Sequence, residues 1–197
     1  MVKVKSPIVR EIEYASDSLV NLKNQLKYSE HKNERKLLFD YPVVYIVNDE
    51  NKNQFSVYVG ETTDIIRRTS QHLIDDIKKD DRDDWRDFAT SSTTKMFVIG
   101  HNHFNKSLTL DIENRLMLYL SSVENVKRVH NRKENPQNEY YTSDELDSIF
   151  LKIWYSLRKR NKYLFPAESI VRNSAIFKAS PFHKLTEEQI EAKNSII

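Results

Sequence analysis

Two short apolar runs that closely follow each other constrain the fold of this chain more than any other feature. The runs are YPVVYIV at residues 41–47 and QFSVYVG at residues 54–60. Both are rich in β-branched and aromatic residues, which is typical of β-strands. The polar stretch NDENKNQ separates them, so the sequence predicts a β-hairpin with a moderately long loop.

Helical periodicity flanks this hairpin on both sides. Residues 16–39 repeat leucine at helical spacing and predict one or two amphipathic helices. After the hairpin, Asp64 is a suitable N-cap for a helix that we expect to end near residue 79. The expected apolar stripe of that helix consists of Ile66, Leu73 and Ile77.

The rest of the chain predicts a third strand and two further helices. The strand is TKMFVIGH at residues 94–101, and the helices are expected at 108–123 and 143–160, the second with Ser143 as its N-cap. The connection DDRDDWRDFATSS is expected to be a solvated loop, although its aspartates could instead hold a metal ion. The fold class is therefore α/β (α+β), with a small three-stranded antiparallel sheet flanked by helices and with extra N- and C-terminal helices.

Composition limits the function classes that need to be considered. The 197 residues include no cysteine, and formal charges nearly balance at a net +2. No apolar run has the length of a membrane span, and the N-terminus has no apolar core of a signal peptide. We therefore expect a cytoplasmic protein without membrane association. We expect an N-terminal helical extension (1–40), a core (41–133), and a basic helical C-terminal extension (134–197) that could include a linker.

The C-terminal extension carries a local excess of positive charge. Between Lys152 and Lys178, Glu168 is the single acidic residue among several lysines and arginines. Two interpretations remain open from the sequence. The cations could form a solvated helix end with their stems packed on the core, or they could bind phosphate groups.

Several residues around the hairpin could carry chemistry. Each predicted strand contains one tyrosine, Tyr45 or Tyr58, and the following helix places Arg68 and His72 one turn apart. Each pair also has a simple structural interpretation. Tyrosines commonly pack across a strand pair, and exposed arginine and histidine side chains on a helix are usually solvated.

Glu113 is the most anomalous residue of the sequence. On a helical wheel it lies within an apolar arc, whereas the polar side of the same helix is available to charges. An isolated buried carboxylate costs several kcal/mol unless it is paired or binds a cation. An ion pair with an arginine and a metal site therefore both remain open. The apolar neighbours on the wheel are Leu116, Met117 and Leu120, and the expected polar side is Asp111, Asn114 and Arg115.

Together these residues resemble the GIY-YIG nuclease family in order and spacing. Residues 43–45 (VVY) correspond to the first triplet of the family motif, and residues 58–60 (YVG) correspond to the second. The family arginine, ten residues after the second tyrosine, corresponds to Arg68, and a histidine four residues later corresponds to His72. The metal-binding glutamate of the family corresponds to Glu113.

The resemblance covers roughly residues 41 to 133 and includes two departures. Val43 stands where the family has its first glycine, and Glu61 stands where many relatives have a lysine, which could weaken phosphate binding locally. Asn131 corresponds to a family asparagine near the end of the module. The chain also resembles nuclease modules that precede helicase-like ATPase domains in bacterial proteins, so a fused or partner ATPase is expected.

The resemblance implies a metal-dependent endonuclease that hydrolyses DNA, with branched or single-stranded DNA among the expected substrates. Glu113 would hold one Mg²⁺ or Mn²⁺, Arg68 would bind the scissile phosphate, and Tyr45 would orient or deprotonate the attacking water. Tyr58, His72 and Asn131 would assist. Contacts to DNA are expected from Lys95, Lys127, Arg128, Arg158, Lys159, Arg160 and Lys162. The alternative is a catalytically silent nucleic-acid-binding or assembly module with the same fold.

Overall fold

A mixed sheet of five strands forms the centre of the protein. The computed structural model describes residues 4–15, 17–79, 83–130 and 145–179. The strands are β1 (Ile8–Glu13), β2 (Val43–Asn51), β3 (Gln54–Thr62), β4 (Lys95–Gly100) and β5 (Val126–Val129). They lie in the order β1-β4-β2-β3-β5, and all neighbours are antiparallel except β3 and β5, which are parallel. The α+β class is confirmed, with five strands instead of three.

Eight α-helices surround this sheet in the part of the chain that the structure describes. They are α1 (Ser18–Gln25), α2 (Lys32–Phe39), α3 (Ile65–Ile74), α4 (Asp83–Thr90), α5 (Lys106–Ser121), α6 (Leu146–Arg158), α7 (Glu168–Asn173) and α8 (Ala175–Ala179). Two short 3₁₀ helices occupy Ser29–His31 and Asp76–Lys78. None of these described helices combines the length and apolar character needed to cross a membrane. The predicted N-cap Ser143 lies outside the described residues.

The central hairpin is tighter than the sequence indicated. Strands β2 and β3 remain paired to Asn51 and Gln54, and a two-residue turn joins them. Its residues, Lys52 and Asn53, have φ angles of 51° and 62°, as a type I′ turn requires. The prediction of a moderately long loop is therefore wrong. The polar residues extend the strand ladder beyond the core, where Asp49 accepts hydrogen bonds from the hydroxyl of Ser91.

Two edge strands were not predicted because few of their side chains are fully buried. Strand β1 pairs with β4 and buries only Val9 fully, and β5 is a four-residue strand with an exposed centre. A strand with one buried residue gives little of the alternating pattern from which strands are recognised. The N-terminal segment, expected to be entirely helical, thus also contributes a strand to the main sheet.

Alternation along β2 divides the core into two halves. Val43, Tyr45 and Val47 point to one side of the sheet, together with buried side chains of α1 to α4, and we call this the α3 face. Val44 and Ile46 point to the opposite side, where α5 and α6 pack, and we call this the α5 face. The N-terminal helices and α6 therefore share cores with the central hairpin.

Helix α4 corrects the expectation of a charged loop after residue 79. Two aromatic side chains three residues apart, Trp85 and Phe88, are buried on the α3 face. Arg86 and Asp87 lie on the outer side of the same helix, where they are more exposed. The sequence did not predict this amphipathic helix, because its apolar face consists of only two large residues among many charged ones.

The basic C-terminal stretch contributes to packing against the sheet edge. The guanidinium of Arg160 donates to the backbone oxygen of Val9 in β1, and the ammonium of Lys152 donates to the backbone oxygen of Val4. These bonds satisfy carbonyl groups beside the edge strand. Part of the positive charge in this stretch therefore has a structural role, through hydrogen bonds that neither sequence interpretation included.

Candidate active site

Tyr45 and Gly60 form a cross-strand pair at the centre of the site. The two residues are register partners in β2 and β3, and the tyrosine ring lies over the glycine. A Cβ atom at Gly60 would lie 2.4 Å from Cζ and 2.5 Å from Oη of Tyr45. Only glycine leaves room for the phenol, which explains one of the two glycines of the chain.

Tyr58 lies diagonally across the hairpin from Tyr45, on the same face of the sheet. The partner of Tyr58 in β2 is Val47, two residues from Tyr45, so the two phenols are diagonal neighbours. Their ring centroids are 6.1 Å apart. The site that was predicted around the two tyrosines thus begins with a close pair of phenols on the α3 face.

Helix α3 turns a different side toward the sheet from the one predicted. Its N-cap is Asp64, as expected, and the carboxylate accepts the backbone N–H of Arg67 at 3.0 Å. The buried residues of the helix are Ile65, Thr69 and His72, whereas the predicted stripe of Ile66, Leu73 and Ile77 is only partly buried. The helix is therefore rotated about its axis relative to the prediction, because its buried side includes polar residues that form bonds inside the core.

His72 is the most enclosed polar group of the site, with no exposed surface. Its Nε2 lies 2.9 Å from the hydroxyl of Tyr45, and its Nδ1 lies 2.7 Å from Oδ2 of Asp76. Lys79 donates to the other oxygen of Asp76 at 2.6 Å. A continuous chain of hydrogen bonds therefore runs from the Tyr45 phenol through the imidazole to a carboxylate.

Trp85 fixes the plane of the imidazole. The indole stacks on His72 with a ring-centroid separation of 3.6 Å and an interplanar angle of 14°. It also contacts Tyr58, with ring centroids 4.6 Å apart. Sequence reasoning missed both Trp85 and Asp76. Asp76 could have been found because it follows His72 by one helical turn, but no local pattern connects a tryptophan in a charged segment to the site.

Arg68 joins the two phenols at the partly exposed side of the site. It hydrogen-bonds with Tyr45 and Tyr58, and its Nη1 donates to Gln71 at 3.0 Å. Although burial alone would lower the pKa of Arg68, the two tyrosines raise it above its usual value. Burial also raises the pKa of Tyr45 well above its ordinary range, so the phenol is neutral.

Glu113 lies on α5 and is only 8% exposed, as the helical wheel predicted. Burial and the nearby charge of Glu61 raise its pKa from 4.5 to about 7, against opposing effects of Lys106 and Arg68. Arg68 therefore acts on Glu113 and on both tyrosines, although α5 and the tyrosines pack on opposite faces of the sheet. The guanidinium is therefore close enough to both halves of the site to interact electrostatically with each.

The environment of α5 also corrects one expectation. Asp111, expected on the polar side, is buried like Glu113. Glu61, which stands where many relatives have a lysine, forms an ion pair with Lys106 and accepts the Thr109 hydroxyl at 3.4 Å. Whether Glu61 weakens phosphate binding stays a prediction.

The predicted DNA-binding side chains lie in several parts of the fold. Lys95 begins β4 and pairs with Glu11 at 3.2 Å, whereas Lys127 and Arg128 are exposed on β5. The C-terminal set consists of Arg158, Lys159, Arg160 and Lys162, of which Arg158 is partly buried and the others are exposed. Asn131 lies outside the described residues, and its role stays a prediction.

The site combines a hairpin that carries two neighbouring phenols, a helix that carries an arginine, and a buried glutamate on a later helix. Residues 41–117 match the family model of the GIY-YIG catalytic domain. The resemblance drawn from the sequence is therefore confirmed for this segment of the chain. No curated protein and no solved structure has significant similarity to the chain.

The chemistry of the acidic groups fits an oxygen-preferring divalent cation. Glu113 and Glu61 both have carboxylates at the end of β3, and no cluster of three or more potential metal-ligating residues occurs in the described ranges. Mg²⁺ and Mn²⁺ are bound through one or two carboxylates and keep several waters, whereas structural zinc requires a fuller set of nitrogen or sulfur ligands. The residues present therefore fit the ion that the family implies.

Proposed function

We propose that this protein is a metal-dependent endonuclease that hydrolyses DNA phosphodiester bonds with a single Mg²⁺ or Mn²⁺. GIY-YIG domains are nuclease domains, and residues 41–117 form such a domain. The observation that carries the proposal is the position of Arg68, which hydrogen-bonds with Tyr45 and Tyr58 and acts electrostatically on Glu113. A phosphate bound by this guanidinium would lie beside all three residues.

Arg68 would bind and orient the scissile phosphate. Its planar guanidinium can donate two parallel hydrogen bonds to phosphate oxygens, and it stabilises negative charge that develops during hydrolysis. The side chain is partly exposed in the structure, so a substrate can approach it from solvent. Bonds to the two phenols and to Gln71 hold it in place before substrate binds.

Tyr45 would orient or deprotonate the attacking water. Its high pKa argues against a stable phenolate, so proton loss needs a partner that accepts the phenol proton at the same time. His72 occupies that position at 2.9 Å. Tyr58 would hold the water or a phosphate oxygen, because its ring lies against Tyr45 and its side chain is partly exposed.

Glu113 would hold the divalent cation. When bound, the cation would neutralise phosphate charge and stabilise the leaving oxygen. The carboxylate must be ionised for this task, and its pKa of about 7 places ionisation within the physiological range. Burial and the charge of Glu61 oppose ionisation of the carboxylate, while Lys106 and Arg68 favour its charged form.

Exposed cations would supply the sequence-independent part of DNA binding. Lys127 and Arg128 are consecutive residues of the edge strand β5, and both side chains are exposed and available to phosphate groups. Replacing each with alanine should weaken binding uniformly and reduce the salt dependence of log K by about one unit per contact. The same proposal includes three further points. The C-terminal cations contact DNA, a fused or partner ATPase acts with the nuclease, and the protein is located in the cytoplasm.

A cleavage assay tests the proposed function. Single-turnover cleavage of linear, branched and single-stranded DNA should occur with Mg²⁺ or Mn²⁺ and stop with EDTA. We expect Arg68→Lys to lower the cleavage rate by about 10²- to 10³-fold, because a point charge replaces the guanidinium fork. Arg67→Lys is the matched control and should retain full activity, because Arg67 is exposed at the preceding position of the same helix.

The same assay distinguishes an active nuclease from a catalytically silent binding or assembly module. Glu113→Gln keeps the size of the side chain but removes its charge, so cleavage should be lost while the affinity for DNA changes little. Glu124→Gln, at an exposed position after α5, should leave both unchanged. Unmodified protein that binds DNA but never cuts it across these substrates and metals would support the silent binding or assembly module instead.

A further inference from the structure

Asp76 is a buried carboxylate beside the proposed catalytic residues that no sequence pattern assigned to them. It is 2% exposed and lies in the 3₁₀ helix after α3, four residues beyond His72. Its Oδ2 lies 2.7 Å from Nδ1 of His72, and its Oδ1 accepts the ammonium of Lys79 at 2.6 Å. Both oxygens of the carboxylate are therefore engaged, one of them with the imidazole.

The charge state of Asp76 determines where the proton of His72 resides. Burial alone would raise the pKa of Asp76, but hydrogen bonds from Lys79 and His72 lower it below the ordinary value. The carboxylate is therefore ionised at neutral pH and can only accept hydrogen bonds. The Nδ1 of His72 must then donate, so in neutral imidazole the other nitrogen, Nε2, is the acceptor.

The acceptor nitrogen faces the Tyr45 hydroxyl. Nε2 and Oη are 2.9 Å apart, so the phenol donates to the imidazole when His72 is neutral. If the proton were on Nε2 instead, the imidazole would have no lone pair with which to take the phenol proton. The same carboxylate charge would also stabilise the imidazolium that forms after transfer.

We propose that Asp76 is a positioning residue of the active site that holds His72 in the Nδ1–H tautomer, so that Nε2 accepts the proton of Tyr45. The inference rests on the proposed nuclease function. As the water oxygen bonds to phosphorus, its proton passes to the Tyr45 oxygen while the phenol proton passes to Nε2. The bond from phosphorus to the leaving oxygen breaks, and that oxygen takes a proton from solvent. The imidazolium then returns its proton to the Tyr45 oxygen, and Tyr45 releases the proton taken from water to solvent, which restores neutral His72.

Every element packed around the histidine contributes to its electrostatic setting. Strands β2 and β3, helices α3 and α4 and the end of β1 all face this region. The ionisable and aromatic groups concerned are Tyr45, Tyr58, Arg68, Trp85, Lys79, Asp84 and Tyr14. Of the nearby carboxylates, Asp76 hydrogen-bonds directly to the imidazole. Its removal therefore changes the tautomer more than the removal of any neighbouring charge.

Nitrogen NMR of ¹⁵N-histidine-labelled full-length protein tests the inference without substrate. The resonances of His72 are assigned by their loss in His72→Gln. The expected result at neutral pH is one imidazole with a protonated Nδ1 and an unprotonated Nε2. A proton on Nε2, or rapid exchange between both tautomers, would overturn the inference.

Variants of Asp76 connect the tautomer to the reaction. Asp76→Asn should mix the two tautomers and lower the single-turnover cleavage rate about a hundredfold, with little change in DNA affinity. Asp75→Asn, which removes an exposed carboxylate one residue earlier, should change neither. An unchanged tautomer and rate in Asp76→Asn would refute the role. If unmodified protein never cleaves DNA, the proposed function fails, and the tautomer measurement still decides the inference.

Discussion

The buried Glu113 carboxylate should destabilise the metal-free protein at neutral and alkaline pH. Its pKa is raised from 4.5 in the unfolded chain to about 7 in the folded protein. Between these values the folded state binds a proton that the unfolded state has released, so the free energy of unfolding falls as pH rises. The favourable contribution of the neutral acid is complete below about pH 4.5 and is lost as pH rises through about 7.

The shift of the Glu113 pKa sets the size of the effect. A difference of about 2.5 pKa units corresponds to roughly 3 kcal/mol, and the side chain is buried enough for most of this energy to be expressed. Glu113→Gln cannot ionise, so it should be more stable than the unmodified protein at high pH. The stability difference between the two should widen by about 2.5 kcal/mol between pH 5 and pH 8.

Urea denaturation of both proteins in EDTA, followed by circular dichroism at a series of pH values, measures this difference. Comparing the two proteins at each pH cancels the titration of all other groups. Adding Mg²⁺ should stabilise only the unmodified protein, because the bound cation favours the ionised carboxylate. A stability difference that is independent of pH would show that burial does not raise the pKa of Glu113 and would refute the reasoning.

Three further substitutions should have effects that follow from local geometry and can be measured by urea denaturation together with DNA cleavage. Gly60→Ala places a methyl group against the Tyr45 ring, so it should cost about 1–3 kcal/mol and suppress cleavage. Trp85→Ala should cost about 3–5 kcal/mol and release the His72 ring, whereas Trp85→Phe should restore part of both losses. Asn53→Gly should stabilise the hairpin by up to about 1 kcal/mol without affecting cleavage, because its φ of 62° suits glycine. Unchanged stability in any of these three variants would contradict the structural feature from which its effect is predicted.

Local patterns predicted the central part of the fold. The hairpin strands, the Asp64 N-cap and the helices that carry Arg68 and Glu113 follow from periodicity and capping, which act over a few residues. The turn between the strands was predicted wrongly because polar residues continued a ladder beyond the core. Edge strand β1 was missed because one buried residue gives no alternating pattern.

The tertiary part of the candidate site could not be predicted in the same way. A helical wheel indicated that Glu113 is buried, but it did not show that Arg68 is close enough to lower the pKa of Glu113. The wheel of α3 suggested a solvated His72, because a histidine is counted as polar even where a carboxylate, a phenol and an indole enclose it. Such an enclosure depends on contacts among distant segments.

Anomalous diffraction from crystals of Tyr45→Phe with bound DNA and Mn²⁺ would test whether the two halves of the site act on one phosphate. The substitution slows cleavage so that the substrate remains intact. We predict one manganese peak at the Glu113 carboxylate, next to a phosphate whose oxygens accept hydrogen bonds from Arg68. The proposed site would be contradicted by a manganese ion that does not bind Glu113. It would also be contradicted by a phosphate that contacts the Glu113-bound metal but lies out of reach of Arg68.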